Sequence, residues 1–261
     1  MKKFLKNFGN YYHYIIFSGK AALKAEVANS HLNWLWWILD PFLFMLVYSF
    51  VALVVYGKSE PYFPLFVFLG LNVWNFFSKT LTSSVKAVYA NRNILSRIYV
   101  PKYVLILSIM YQNFFKLLIT FGLVFVLMPF YKVGLTYQVL YLPLLFLLLA
   151  LITFGASCIL MHFGVYVSDL ENLTRVGLRL AFYLSGIFYS IPKRVPRPYS
   201  GLLLTFNPLA LIIDAVREAV LYGGDISFPL LGIWGCAGLL TIVAGVSLIS
   251  KYENSYIKIV S

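Results

Sequence analysis

Along most of this chain the apolar residues are not interleaved with polar ones but come in long runs, near Trp34–Tyr56, Pro64–Ser84, Tyr103–Phe130, Gln138–Val167, Leu173–Ile191 and Ile226–Ser250. About 20 apolar residues are enough for a helix to cross the hydrocarbon of a bilayer, and a helix satisfies its own backbone hydrogen bonds there. The pattern predicts an all-α integral membrane protein with six transmembrane helices. The first 30 residues differ. At ~100° per residue, Phe4, Leu5, Phe8, Tyr11, Tyr12, Ile15, Ile16, Ala22 and Leu23 fall on one arc, and Lys2, Lys3, Lys6, His13, Lys20 and Lys24 on the other. Residues 1–31 therefore read as an amphipathic helix in the membrane interface, its lysines toward anionic headgroups, ahead of a six-span domain over 32–261. No signal-peptide pattern is present.

Composition narrows the function classes. Of 261 residues, 61% are hydrophobic and only 11% charged, against ~25% charged in soluble domains. Six spans leave no room for a separate soluble catalytic domain. The net charge of +12 does not point to nucleic acid, because basic surfaces of that kind lie on soluble modules. The cations read instead as topology signals. The N-terminal segment, the loop over 86–102 (Lys86, Arg92, Arg97, Lys102) and the tail (Lys251, Lys258) are basic, whereas two other loops carry one lysine each, Lys58 and Lys132. Both termini are expected in the cytoplasm.

One segment breaks this bias. Residues 192–228, assigned outside, hold Lys193, Arg194, Arg197 and Arg217. Pro192, Pro196 and Pro198 interrupt the chain there. Asn207-Pro208 then supplies an N-cap and a proline at the first helical position, and Gly223-Gly224 a stop. Asp214, Arg217 and Glu218 fall on one side of a helix too short to span. Short helices dipping into the outer leaflet over 192–225 are the predicted form of this segment, with the charges on a lid.

Few residues suggest chemistry. Gly57-Lys58-Ser59 resembles the end of a phosphate-binding loop, but the glycine required five positions before Gly57 is Ala52, so no ATP site is expected. Cys158 and Cys236 read as packing residues, and no metal-ligand spacing occurs. His13 and His31 read as solvated, and His162 as an ordinary buried histidine. Asp40, just inside the first span after Trp34, Trp36 and Trp37, must face protein or water; it reads either as a pathway residue or as an acid satisfied by a neighbouring helix. Lys116, deep in the third span, could pair with it. Ser168-Asp169-Leu170-Glu171 has the spacing of a capping box opening the fifth span. Glu171, Arg175 and Arg179 follow at four-residue intervals, and the stripe continues through Phe182, Gly186 and Tyr189. The arginines could hold phosphate oxygens ahead of an aromatic track for sugar faces. Alternatively, Arg175 pairs with Glu171 and Arg179 snorkels to lipid phosphates.

Five segments, in order, carry a family resemblance: Leu32–Tyr48, Tyr62–Ser78, Asn91–Tyr103, Val167–Ile191 and Asn207–Leu221. They resemble the type-two membrane permeases of ABC exporters for bacterial polysaccharides, which move O-antigen, capsule or teichoic acid chains. The resemblance implies a homodimer in the inner membrane with two separate ABC ATPase subunits that carry the ATP and Mg, and no cofactor in this chain. It implies a coupling helix at Asn91, Arg92, Asn93, Ile94 and Leu95, and a conduit between spans one and five. It also implies an external gate around Asn207, Pro208, Asp214 and Arg217. A lipid diphosphate substrate would suit Arg175 and Arg179, with Trp36, Trp37, Asp40, Tyr48, Phe182, Tyr183 and Tyr189 along the path. Two other classes use different energy sources. A membrane glycosyltransferase needs clustered carboxylates, which the nine acids do not form except near helix ends. A proton-coupled transporter would use Asp40 and Lys116 as a relay.

Overall fold

A computed structural model describes residues 2–28, 33–55 and 60–260. Gly57-Lys58-Ser59 and His31 lie outside the described residues. Among the described residues there is no strand. The helices are α1 (Lys2–Ala28), α2 (Asn33–Phe50), α3 (Phe63–Val85), α4 (Ala87–Ala90), α5 (Arg92–Leu95), α6 (Lys102–Leu127), α7 (Leu142–Tyr166), α8 (Leu170–Leu184), α9 (Ile191–Arg194), α10 (Tyr199–Phe206), α11 (Pro208–Arg217) and α12 (Phe228–Val260). A π turn, Val51–Val55, extends α2, and another, Glu218–Tyr222, extends α11.

Helices occupy all six expected places, but they are not equivalent. Trp34–Val54, Lys102–Tyr131, Tyr137–Tyr166 and Phe228–Glu253 are long and apolar enough to cross a membrane. α3 has the length, ~34 Å, but carries Asn72, Asn75 and Lys79 and is the axis of the bundle. Phe66, Val67, Phe68, Leu69 and Val73 are buried in it, and α2, α6, α7, α8 and α11 all pack on it. α8 departs furthest from expectation. It ends at Leu184, not Ile191, and its 15 residues reach only ~22 Å against a hydrocarbon thickness of ~30 Å. The cause is Gly186, whose φ of +64° belongs to the left-handed region that favours glycine. The predicted stripe from Arg175 to Tyr189 therefore breaks after Phe182.

The capping box is likewise absent. Asp169, not Ser168, is the N-cap and makes no side-chain cap bond, and Glu171 turns instead to Arg175 and to Lys86 at the end of α3. By contrast, Asn207 caps α11 as its sequence predicts. Its Oδ1 accepts from the backbone of Leu209 and Ala210 at 3.0 and 3.1 Å. α10 meets α11 and its π extension at a 99° bend, and Gly223, at φ +64°, ends the segment.

α7 and α12 form the most extensive helix pair, which small residues at the crossing make possible. A Cβ on Gly245 would lie 2.6 Å from the Cβ of Cys158, and one on Gly155 would strike the Thr241 side chain. Gly155→Leu should push the helices apart at an overpacking cost of about 1–3 kcal/mol. The check is the thermal midpoint of the purified protein in detergent; an unchanged midpoint would contradict this packing. Cys158 is buried there, whereas Cys236 is exposed. His162 is buried with its Nδ1 2.6 Å from the Tyr256 hydroxyl, so its polar need is met within the fold. α1 lies along α6, burying Ile15, Gly19 and Leu23 on one stripe and leaving His13 exposed.

Candidate functional site

The amphipathic α8 carries Arg175 and Arg179 one turn apart, both exposed. They border an open groove of about 590 Å³ between α3, α6 and α8. Lys79 of α3 and Lys116 of α6 line it too, so four cations meet one carboxylate, Glu26 of α1. Ser78, Thr82, Gln112 and Asn113 add hydroxyl and amide groups. Lys116 pairs with Glu26 at 2.7 Å and not with Asp40. Asp40 lies 3.9 Å from Lys79. Arg175 pairs with Glu171, while Arg179 makes no ion pair among the described residues. An excess of cations with guanidinium forks suits an anion with several oxygens, such as a phosphate.

Behind Lys79 and Lys116 lies a second cavity of about 290 Å³, between the end of α1 and α2, α3 and α6. Trp36, Trp37 and Asp40 are brought together here. Lys116 Nζ stands 5.2 Å from the centre of the Trp37 ring, and Asn113 donates to Thr80 Oγ1 at 3.0 Å. The Trp37 Nε1 and the Asn72 Nδ2, both buried, have no hydrogen-bond partner among the described residues.

Tyr48 and Phe182 belong to a different cluster, a ladder of rings from α3 to α2. Trp74 meets Phe182 at 5.4 Å, Phe182 meets Phe188 at 5.2 Å, and Phe188 meets Tyr48 at 3.9 Å between centroids. Tyr183 turns outward, and Tyr189 joins it only by donating its hydroxyl proton to the Tyr183 carbonyl at 2.9 Å. Sequence reasoning missed Trp74 and Phe188. Phe188 does not fall on a helical stripe with Phe182, and only the turn at Gly186 brings the two together.

Just beyond the C-terminal end of α3 the short helices α4 and α5 form a tip. Asn91 donates to the Ala87 carbonyl at 2.8 Å, and Arg92, Asn93 and Ile94 are exposed. Leu95 is not. It is 5% exposed and packs into the core, so it anchors the tip and cannot meet a partner. Ile98 and Tyr99, which the sequence did not single out, extend the exposed apolar surface beside Ile94. The Tyr99 hydroxyl donates to Glu253 at 2.6 Å, and this bond to a carboxylate holds the phenol well above its ordinary pKa. The tip is joined to the groove through Lys86, which shares Glu171 with Arg175.

Residues 17–221 match the family model of the ABC-2 type transporter. They include α2 through α11, the whole groove and the tip. The chain belongs to the ABC-2 type transporter family. Its relatives in that family include an O-antigen export system permease protein, RfbA, of Klebsiella pneumoniae, 27% identical over 97% of both chains. The RfbA of Myxococcus xanthus is 29% identical over 77% of this chain and 76% of its own. A polysialic acid transport protein, KpsM, of Escherichia coli is 24% identical over 89% of this chain and 91% of its own.

In this ABC-2 chain the segment that broke the charge bias is bound up internally. Lys193 and Arg194 reach the buried Glu60 at 3.4 and 3.0 Å. Arg217, expected on the charged face of a lid, is 2% exposed. Its guanidinium donates to the carbonyls of Phe66 at 3.1 Å and of Gly186 and Ile187 at 2.8 Å each, and it stacks 3.4 Å from the Phe66 ring centre. Arg217 therefore rivets α11 to α3 and to the turn after α8. Asp214 is half-buried one turn earlier, and Asn207 Nδ2 ties α11 to Ser185 Oγ at 3.1 Å.

Proposed function

We propose that this chain is the membrane subunit of an ATP-driven exporter that moves undecaprenyl-diphosphate-linked surface polysaccharide of the O-antigen type out of the cytoplasm. The observation that carries this is the end-to-end similarity to O-antigen export permeases, 97% of both chains. The similarity to polysialic acid transport proteins favours a capsular polymer as the second reading. Two copies would act with two ABC ATPase subunits that hold ATP and Mg.

In this reading α3, and α8 together with the turn that follows it to Ile191, complete six spans, both termini are cytoplasmic, and α1 rests in the inner-membrane interface. The cationic groove takes the lipid diphosphate, with Arg175 and Arg179 as its forks. α2 and α8 carry large exposed apolar residues, Phe44, Val47 and Phe50 on one and Leu173, Val176 and Leu180 on the other, in keeping with a dimer axis there. α10 and α11 form the external gate.

Arg92, Asn93, Ile94 and Ile98 meet the ATPase subunit; exposed apolar residues on a soluble tip are a mark of docking. Ile94→Asp with Ile98→Asp should therefore prevent co-purification with the ATPase and remove surface polymer. Retention of a stoichiometric complex in that variant would place the docking surface elsewhere.

A further inference from the structure

The smaller cavity differs from the groove in a way that points to a different ligand. In the groove cations outnumber carboxylates by four to one. In the cavity two carboxylates, Glu26 and Asp40, face two ammoniums, Lys79 and Lys116, so its charges balance and it has no excess to offer an anion. What it does have is unmet donors: the Asn72 amide, on a residue only 3% exposed, and the Trp37 indole N–H. Buried donors left without a partner are rare in a finished fold. A neutral ligand rich in hydroxyls satisfies both sides of this lining, its oxygens accepting from Asn72 and Trp37 and its O–H groups donating to Asp40 and Glu26. The volume, about 290 Å³, lies at the small end of ligand pockets, ~300–1,000 Å³. Trp36, also lining the cavity, is half exposed and leaves a way out for a chain that continues.

We propose that this cavity is a sugar site, and that it takes the first saccharide of a carrier lipid whose diphosphate lies in the adjoining groove, held by the Arg175 and Arg179 forks beside the shared Lys79 and Lys116. The two chambers share Glu26, Lys79, Asn113 and Lys116, so a phosphate and the sugar bonded to it can occupy both at once. The placement of the diphosphate rests on the function proposed above; the sugar site rests on the lining of the cavity.

The test compares binding of farnesyl diphosphate with that of farnesyl diphosphate carrying one sugar, N-acetylglucosamine or galactose, to the full chain in phosphatidylglycerol nanodiscs. The wild type should favour a sugar-bearing form by about tenfold or more, the worth of one or two net hydrogen bonds. In Asn72→Leu, and separately in the milder Trp37→Phe, that ratio should fall toward one, with the sugar-free carrier as each protein's own reference. A ratio of one in the wild type, or a ratio that survives both substitutions, overturns the sugar site and leaves the diphosphate reading standing. Should farnesyl diphosphate itself fail to bind the wild type, the diphosphate reading falls. The sugar site is then decided by saturation-transfer NMR with methyl glycosides of the same two sugars. A signal lost in Asn72→Leu and reduced in Trp37→Phe supports it, and no signal in the wild type overturns it.

Discussion

Arg217→Met should leave little folded protein. Each hydrogen bond to a charged group contributes about 1.5–3 kcal/mol, and Arg217 makes three, to Phe66, Gly186 and Ile187. Methionine fills part of the space but leaves the Gly186 and Ile187 carbonyls in the interior without a donor and removes the second donor from that of Phe66. Breaking a buried charged network of this kind costs about 3–5 kcal/mol, a large share of the ~5–15 kcal/mol that holds a typical domain together. A strongly lowered thermal midpoint and an early-eluting aggregate on size exclusion are the expected readouts. Arg217→Lys should recover only part, because one ammonium cannot reproduce a planar fork. Gly70→Ala provides an independent check, since its Cβ would lie 2.8 Å from the Arg217 Nη2. A stable Arg217→Met protein that has lost export would mean that the residue works as a gate and not as a rivet.

Arg175→Ala combined with Arg179→Ala carries the second large expectation. Two charge-assisted bonds of about 1.5–3 kcal/mol each amount to more than about 100-fold in affinity. Farnesyl diphosphate binding should drop accordingly, and lipid-linked polymer should accumulate in the cytoplasmic leaflet while its synthesis continues. The single substitutions should be unequal. Arg179 makes no ion pair among the described residues, whereas Arg175 is held by Glu171, so Arg179→Ala should weaken binding more than Arg175→Ala. Glu171→Gln should strengthen it by releasing Arg175. Normal export by the double variant would remove the groove from the transport path.

The apolar runs were legible because long spans need only length and hydropathy, and the helices at Trp34–Val54, Lys102–Tyr131, Tyr137–Tyr166 and Phe228–Glu253 lie where those runs predict. The Asn207-Pro208 cap was legible because capping is local. What failed was whatever depended on a partner far along the chain. Ser168 and Glu171 have the spacing of a capping box, yet Lys86, 85 residues earlier, competes for the carboxylate. Lys116 could have paired with any acid, and only the packing of α1 on α6 selects Glu26. Arg217 looked like a surface charge because nothing local shows that three carbonyls converge on it. In the same way Leu95 has an exposed residue's sequence context and a core residue's burial. The site itself was half visible: the arginines announced themselves, but Lys79, Asn72 and Phe188 did not.

Glu171 answers to two cations, one on each side, and this gives the protein an electrical means of communication. Whatever draws Lys86 away from the carboxylate leaves Glu171 to Arg175 alone and dims the positive field in the groove; whatever presses Lys86 closer frees Arg175 and brightens it. If the groove holds an anion as proposed, its grip would thus depend on where Lys86 stands at the tip of α3, with no change in the groove's shape. Glu171→Gln would cut that link, leaving the field in the groove indifferent to the position of Lys86.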